Sequence, residues 1–258
     1  VAWLLNLRGK DNPFSPIPNC KIILTKNKKI YFFSCPLKIK NIKKIIPYNQ
    51  FKFCEYKDFL KIISNLSGKS FCIDNLTCSS FNESIIKSSF DVKSYIDPCY
   101  EMKSIKNSTE IKNMKNAHIK DGLALTKFIY WIKNNDHKNL TEISAQNKLE
   151  KFRKLNKEYI FPSFNTIAGS GPNGAIIHYR ASKSSNRKIK KNDIFLCDSG
   201  GQYKFGTTDV TRTLCFSKQP SSIKDKFTKV LKGHIAVATS DINKLKNGKQ
   251  IDIKARQF

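Results

Sequence analysis

Arginine is scarce in this sequence: 6 of the 47 basic residues, against 41 lysines. A surface selected to grip phosphate favours the planar arginine fork, which binds it bidentately. The formal charge of +27 is therefore read with the 23 Asn and 31 Ile as compositional drift, and no specific nucleic-acid partner is expected. Long apolar runs are missing too. None nears the roughly 20 residues a helical membrane span needs, so no membrane partner is expected. Methionine occurs only at Met102 and Met114 and the first residue is Val1. The expectation is that the chain does not open at a native start, which leaves any upstream signal unread. No C-x-x-C pair and no zinc-finger spacing is found among the eight cysteines. They read as reduced, mostly buried thiols of a cytoplasmic protein rather than a disulfide framework. What remains is ordinary: 258 residues, 40% hydrophobic and 11% aromatic, enough for one large domain or two smaller ones.

Short β-branched and aromatic runs punctuated by polar residues predict strands at 1–7, 20–25, 30–34, 51–55 and 71–74. Helical spacing at 58–64 and 79–88 lies between them, an α/β layer. The pattern lapses near Asp97-Pro98, a turn signal. Asn107, with Glu110 three residues on, makes a variant of the capping box that opens a long helix. Ile111, Met114, Ala117, Leu125, Phe128 and Ile132 share one face of it. A second helix follows from Thr141, with Ala145, Leu149 and Phe152 in phase. Between 161 and 216 lie six of the eleven glycines and two β-type runs, 193–197 and 209–216. Pro220 opens a third helix with Ile223, Phe227, Val230 and Leu231 on one side, and a short helix at 250–256 ends the chain.

The chemistry concentrates in Asp198-Ser-Gly-Gly-Gln-Tyr203 and Gly206-Thr-Thr-Asp-Val-Thr-Arg-Thr213. The run Ile194-Phe-Leu-Cys197 delivers Asp198 at a strand end. A hairpin folded about Tyr203–Lys204 sets Asp198 opposite Asp209, with side chains on one face about 5 Å apart. Two such carboxylates repel unless a cation lies between them, and one or two divalent ions would serve. Turn chemistry at Asp198-Ser-Gly and an ion pair of Asp209 with Arg212 account for the same residues without metal. Upstream, the loop Gly169-Ser-Gly-Pro-Asn-Gly174 leads through a short apolar run to His178, placed to reach a cleft and move a proton near neutral pH. A satisfied surface or core imidazole is the plain alternative.

Ile167-Ala-Gly-Ser-Gly-Pro-Asn-Gly-Ala-Ile-Ile-His-Tyr-Arg180 and the two aspartate motifs resemble the Xaa-Pro aminopeptidases of the long, three-domain form. Val1-Ala-Trp-Leu-Leu-Asn-Leu-Arg-Gly-Lys-Asp11, Lys103-Ser104 with Glu110-Ile111, and 230–236 extend the resemblance along the whole chain. It implies a fold class of α/β and α+β: a creatinase N-terminal-like α/β domain over 1–99, then the first half of a pita-bread metallopeptidase domain over 100–258. By the same resemblance Asp198 chelates one metal ion, Asp209 bridges two, and His178 contacts substrate beside the scissile bond and helps proton transfer. The implied cofactor is two divalent ions, manganese by family habit. The implied substrates are peptides with proline second, and the implied assembly is a homodimer. The remaining ligands of the family, a histidine and two glutamates, fall past the last residue. The chain is thus expected to be truncated at both ends and inactive alone. Two other function classes stand beside it: a pita-bread protein that binds peptides or proteins without chemistry, and a basic nucleic-acid-binding protein, which rests on the +27 charge alone.

Overall fold

The computed structural model describes residues 1–46 and 49–258. In chain order the elements are β1 (Lys21–Leu24), β2 (Ile30–Phe33), α1 (Pro36–Lys43), β3 (Phe51–Cys54), α2 (Phe59–Asn65), β4 (Ser70–Ile73), α3 (Ser80–Lys87), β5 (Asp91–Ser94) and α4 (Pro98–Ser104). There follow α5 (Ser108–Asn134), α6 (Glu142–Lys154), β6 (Tyr159–Pro162), β7 (Ile167–Ser170), β8 (Ile194–Ser199), β9 (Gly201–Tyr203), β10 (Gly206–Thr207), β11 (Val210–Cys215), α7 (Ser221–Ala238) and α8 (Gly248–Arg256). The chain divides into two compact units, 1–123 with 154–165 and 200–209, and 124–153 with 166–199 and 210–258.

In the first unit β1 and β2 form an antiparallel pair and β3 joins β2 in parallel, α1 being the connection. A parallel strand needs such a crossover, because a tight turn only reverses the chain. β4 and β5 repeat the scheme around α3, whose N-cap Ser79 accepts from the Asn82 amide. Alternation puts the adjacent Phe32 and Phe33 on opposite faces of β2, and both are fully buried. Phe32 joins Leu7 and Ile46, while Phe33 joins Ile23, Cys54, Ile63, Ile73 and Ile86. A strand covered on both faces reads as a continuous apolar run, as Ile30-Tyr-Phe-Phe does. The third sheet, β10-β9-β6, is antiparallel. Its Tyr203 donates its hydroxyl to buried Asp121 of α5 at 2.8 Å.

The second unit is built on the antiparallel sheet β11-β8-β7. Its core gathers Leu125, Phe128 and Ile132 of α5, Ala145 and Leu149 of α6, and Phe195, Cys197 and Leu214 of the sheet. Near the chain end α7 and α8 pack where Gly233 faces the Ala255 carbonyl, and a Cβ there would stand 2.2 Å from that oxygen.

Several expectations change. Residues 1–7 form turns, not a strand. Their amides bond locally, Leu5 to Val1 and Leu7 to Ala2, and among the described residues no strand pairs with them. Asp97-Pro98 starts a helix: the Asp97 side chain caps the Cys99 amide and Pro98 occupies the first turn, where its missing N–H costs nothing. The capping box of α5 is present, Glu110 N to Asn107 Oδ1 and Asn107 N to Glu110 Oε2, both 2.9 Å. Ile111 nevertheless lies exposed, and Asp121 shares the buried stripe with Ala117, Leu125, Phe128 and Ile132. On α6 the stripe runs Ala145, Leu149, Arg153, with Phe152 at its edge. The apolar side of α7 is exposed at Phe227, Val230 and Leu231. All eight thiols are free, but only Cys54 and Cys197 are buried.

Candidate active site

β8 is the middle strand of its sheet, and its side chains alternate strictly in burial. Phe195, Cys197 and Ser199 face the core; Ile194, Leu196 and Asp198 face the other way and are half-buried. The Cys197 thiol, pushed up to about 12 by burial against a smaller pull from Arg153, stays protonated and is no nucleophile. Asp198 pairs with Ile167 of β7 on one side and Thr211 of β11 on the other. One of its oxygens, Oδ1, is buried and meets no hydrogen-bond donor. Buried carboxylate oxygens almost always have partners, because desolvating an anion is costly. An orphaned one beside a strand end fits a cation.

The expected hairpin register is corrected. Tyr203 pairs with Gly206 and Ser199 with Val210, so the two-residue turn is Lys204-Phe205 rather than Tyr203-Lys204. Thr211, not Asp209, therefore lies opposite Asp198. Asp209 is exposed and stands just ahead of β11. The turn moves because β9 and β10 set their own pairing, and each strand then shifts by one residue. Gly200 makes the tight exit from β8 possible: a Cβ there would stand 1.9 Å from the Thr208 carbonyl oxygen and 2.2 Å from Ser163 Oγ. The Ser163 hydroxyl donates to that same carbonyl at 2.8 Å, and the Gly201 amide donates to Thr208 Oγ1 at 2.9 Å.

His178 follows a 3-10 turn, Gly171–Ala175, and is exposed. Its φ of 55° is left-handed, unusual for a residue with a Cβ. Tyr179 beside it is buried at 6% exposure. Gly169 lets this loop approach, since a Cβ there would stand 2.8 Å from the Gly174 Cα. Among the described residues no group of three or more His, Cys, Asp or Glu stands ready to hold a metal ion. Asp198, Asp209 and His178 are thus not gathered into one ligand cluster.

Two buried charges escape a motif search. Arg153 is fully buried and donates to Ser199 Oγ at 3.0 Å, one residue from Asp198. Glu142 is fully buried at the start of α6. The signal for Arg153 was its phase, four residues beyond Leu149 on the apolar stripe. Glu142 directly follows the helix-opening Thr141 and gave no such signal.

Comparison with known proteins matches residues 112–258 to metallopeptidase family M24 and residues 1–110 to the creatinase/prolidase N-terminal domain. A Xaa-Pro aminopeptidase of Drosophila melanogaster is 35% identical over 100% of this chain and 43% of its own length. A probable Xaa-Pro aminopeptidase P of Sordaria macrospora is likewise 35% identical, over 100% of the chain and 44% of its length. The X-prolyl aminopeptidase of Caenorhabditis elegans, a cytosolic enzyme with a di-nuclear active site, superposes with a TM-score of 0.80 at 30% identity. That alignment covers 93% of this chain and 41% of the nematode enzyme. Prolidase from Pyrococcus furiosus shares the fold, with a TM-score of 0.70 at 22% identity over 99% of this chain and 72% of its own. The chain spans less than half the length of the curated relatives it matches. The expected fold class, a creatinase-type α/β domain followed by pita-bread α+β structure, is the one found. With its family match covering more than half of its residues, this chain belongs to metallopeptidase family M24.

Proposed function

We propose that the protein carrying this chain is a metal-dependent aminopeptidase that hydrolyses the bond between an N-terminal residue and a following proline. The observation that carries this reading is the buried, unpartnered Oδ1 of Asp198 in a family M24 chain. Asp198 and Asp209 are the residues of this chain that would hold the metal. When bound, the ions, manganese by family resemblance, would acidify water and polarise the scissile carbonyl. The chain's own part is to fix Asp198 on the central strand, with Ile167 and Thr211 on either side. His178 is assigned to substrate contact and proton transfer at its imidazole. The domain division at 99/100, a homodimer and a cytoplasmic setting are part of the same proposal.

Two carboxylates alone hold a divalent ion weakly. The 258-residue chain by itself is therefore expected to bind manganese weakly and to cleave nothing. The whole protein, supplied with manganese, is expected to release only the first residue from a peptide with proline second. Asp198→Asn and Asp209→Asn should each abolish that release. Metal-independent release, or release untouched by Asp198→Asn, would overturn the proposal. The second reading, a peptide-binding protein without chemistry, draws on the lack of a three-ligand cluster among the described residues. Binding of the same peptide without cleavage by the metal-supplied whole protein would select it.

A further inference from the structure

Glu142, fully buried among protein donors, lies outside every motif named above. Glu142 Oε1 accepts from the Ser170 amide at 2.8 Å and from Asn173 Nδ2 at 3.0 Å. Its Oε2 accepts from the Tyr179 hydroxyl at 2.8 Å and from the Arg187 amide at 2.9 Å. The carboxylate thus ties both ends and the middle of segment 170–187 to the first turn of α6, where the helix dipole also favours an anion. Asn173 Nδ2 donates to the Tyr179 hydroxyl at 2.8 Å, and that hydroxyl also reaches the Ser185 carbonyl at 2.9 Å. Each oxygen of the Glu142 carboxylate thus accepts at least two hydrogen bonds from the protein.

Between 175 and 180 only Tyr179 is buried; Ala175, Ile176, Ile177, His178 and Arg180 are exposed. Left-handed backbone at a residue with a Cβ persists only where its surroundings over-determine it. The residue after His178, whose φ is 55°, is the buried, hydrogen-bonded Tyr179. Burial also pushes the Tyr179 phenol above its ordinary range, so it remains a hydrogen-bond donor.

We propose that Glu142 and Tyr179 are positioning residues that clamp the turn presenting His178. The inference deepens the aminopeptidase reading and rests on it for the role of His178. Neither residue touches the reacting atoms. They act by holding the backbone that carries the imidazole.

The test uses Glu142→Gln and Tyr179→Phe in the whole protein, the second keeping the ring while removing the hydroxyl. Amide hydrogen exchange is followed at Ser170, Tyr179 and Arg187, with β8 and β11 as internal controls. Both variants are expected to speed exchange within 170–187 about tenfold or more beyond whatever change the control strands register through global stability. Turnover of the proline-second peptide should fall about 10- to 100-fold in kcat, with KM moved less than twofold. Unchanged exchange in Tyr179→Phe overturns the clamp. Faster exchange spread equally over β8 and β11 overturns it too, marking Glu142 as a general core residue. Local loosening with unchanged kcat shows a staple that does not serve His178, and overturns the positioning role. If the unmutated protein cleaves nothing, the aminopeptidase reading fails, and the exchange pattern still decides whether Glu142 and Tyr179 hold the turn.

Discussion

Two carboxylates in the second unit make opposite use of burial. Glu142 is fully buried and accepts hydrogen bonds from two backbone amides and two side chains. Asp198 is half-buried, and one of its oxygens is cut off from solvent without a donor. A satisfied buried anion stabilises the fold that surrounds it. An unsatisfied one weakens the fold. The pair teaches that burial by itself says little about a carboxylate; the count of donors separates the two.

Removing the Glu142 carboxylate should have the largest effect on stability. Glu142→Ala strands several buried donors at once and is expected to cost about 3–5 kcal/mol in urea unfolding. A loss under about 1 kcal/mol would break the comparison, because the network would then contribute nothing. Gly200→Ala tests the rigid exit from β8. With the Thr208 oxygen 1.9 Å from the new Cβ, a loss of about 2–4 kcal/mol is expected, since backbone cannot swing aside as a side chain can.

Asp193 sharpens the comparison with a third carboxylate. Burial raises its pKa, but hydrogen bonds from the Lys190 amide, Ser170 and Arg187 outweigh burial and hold it below the ordinary value. A depressed pKa stabilises the fold above the unfolded-state value, and that stability is lost as pH falls through the folded value. Stability measured from pH 6 downward should therefore fall more steeply below about pH 4 in the unmutated chain than in Asp193→Asn. Parallel curves would show that the hydrogen bonds do not favour the anion. Asp198→Asn should have the smallest effect on stability, between no change and a gain of about 1 kcal/mol without metal, while manganese affinity falls. A loss above about 2 kcal/mol would mean that Oδ1 has a structural partner after all.

Much of the fold was legible because it rests on local signals. β2, β3 and β4 follow from runs of aromatic and β-branched residues, and the start of α5 from Asn107 and Glu110. α1 escaped notice because lysines interrupt its apolar face and only Ile39 is buried. The segment 1–7 has strand composition, yet a strand exists only where another offers its backbone. Of the candidate site, the sequence singled out Asp198, Asp209 and His178. Their geometry was not legible, because the turn at Lys204-Phe205 depends on the pairing of β9 with β10 and β6. Arg153 was half-legible from its helical phase. Glu142 was not, because its donors come from residues 28 to 45 positions away.

The order of residues alone determined much of the succession of elements, the motifs that tie the chain to its family and the chemistry its side chains can offer. All of these depend on composition and near-neighbour spacing. Only the tertiary structure decided which carboxylate is satisfied and which is left open, which residue lies across from Asp198, and that the histidine sits on a left-handed turn beside a buried tyrosine. Those outcomes are set by contacts between distant segments, where the cost of an unpaired buried group is resolved by whatever the fold brings alongside.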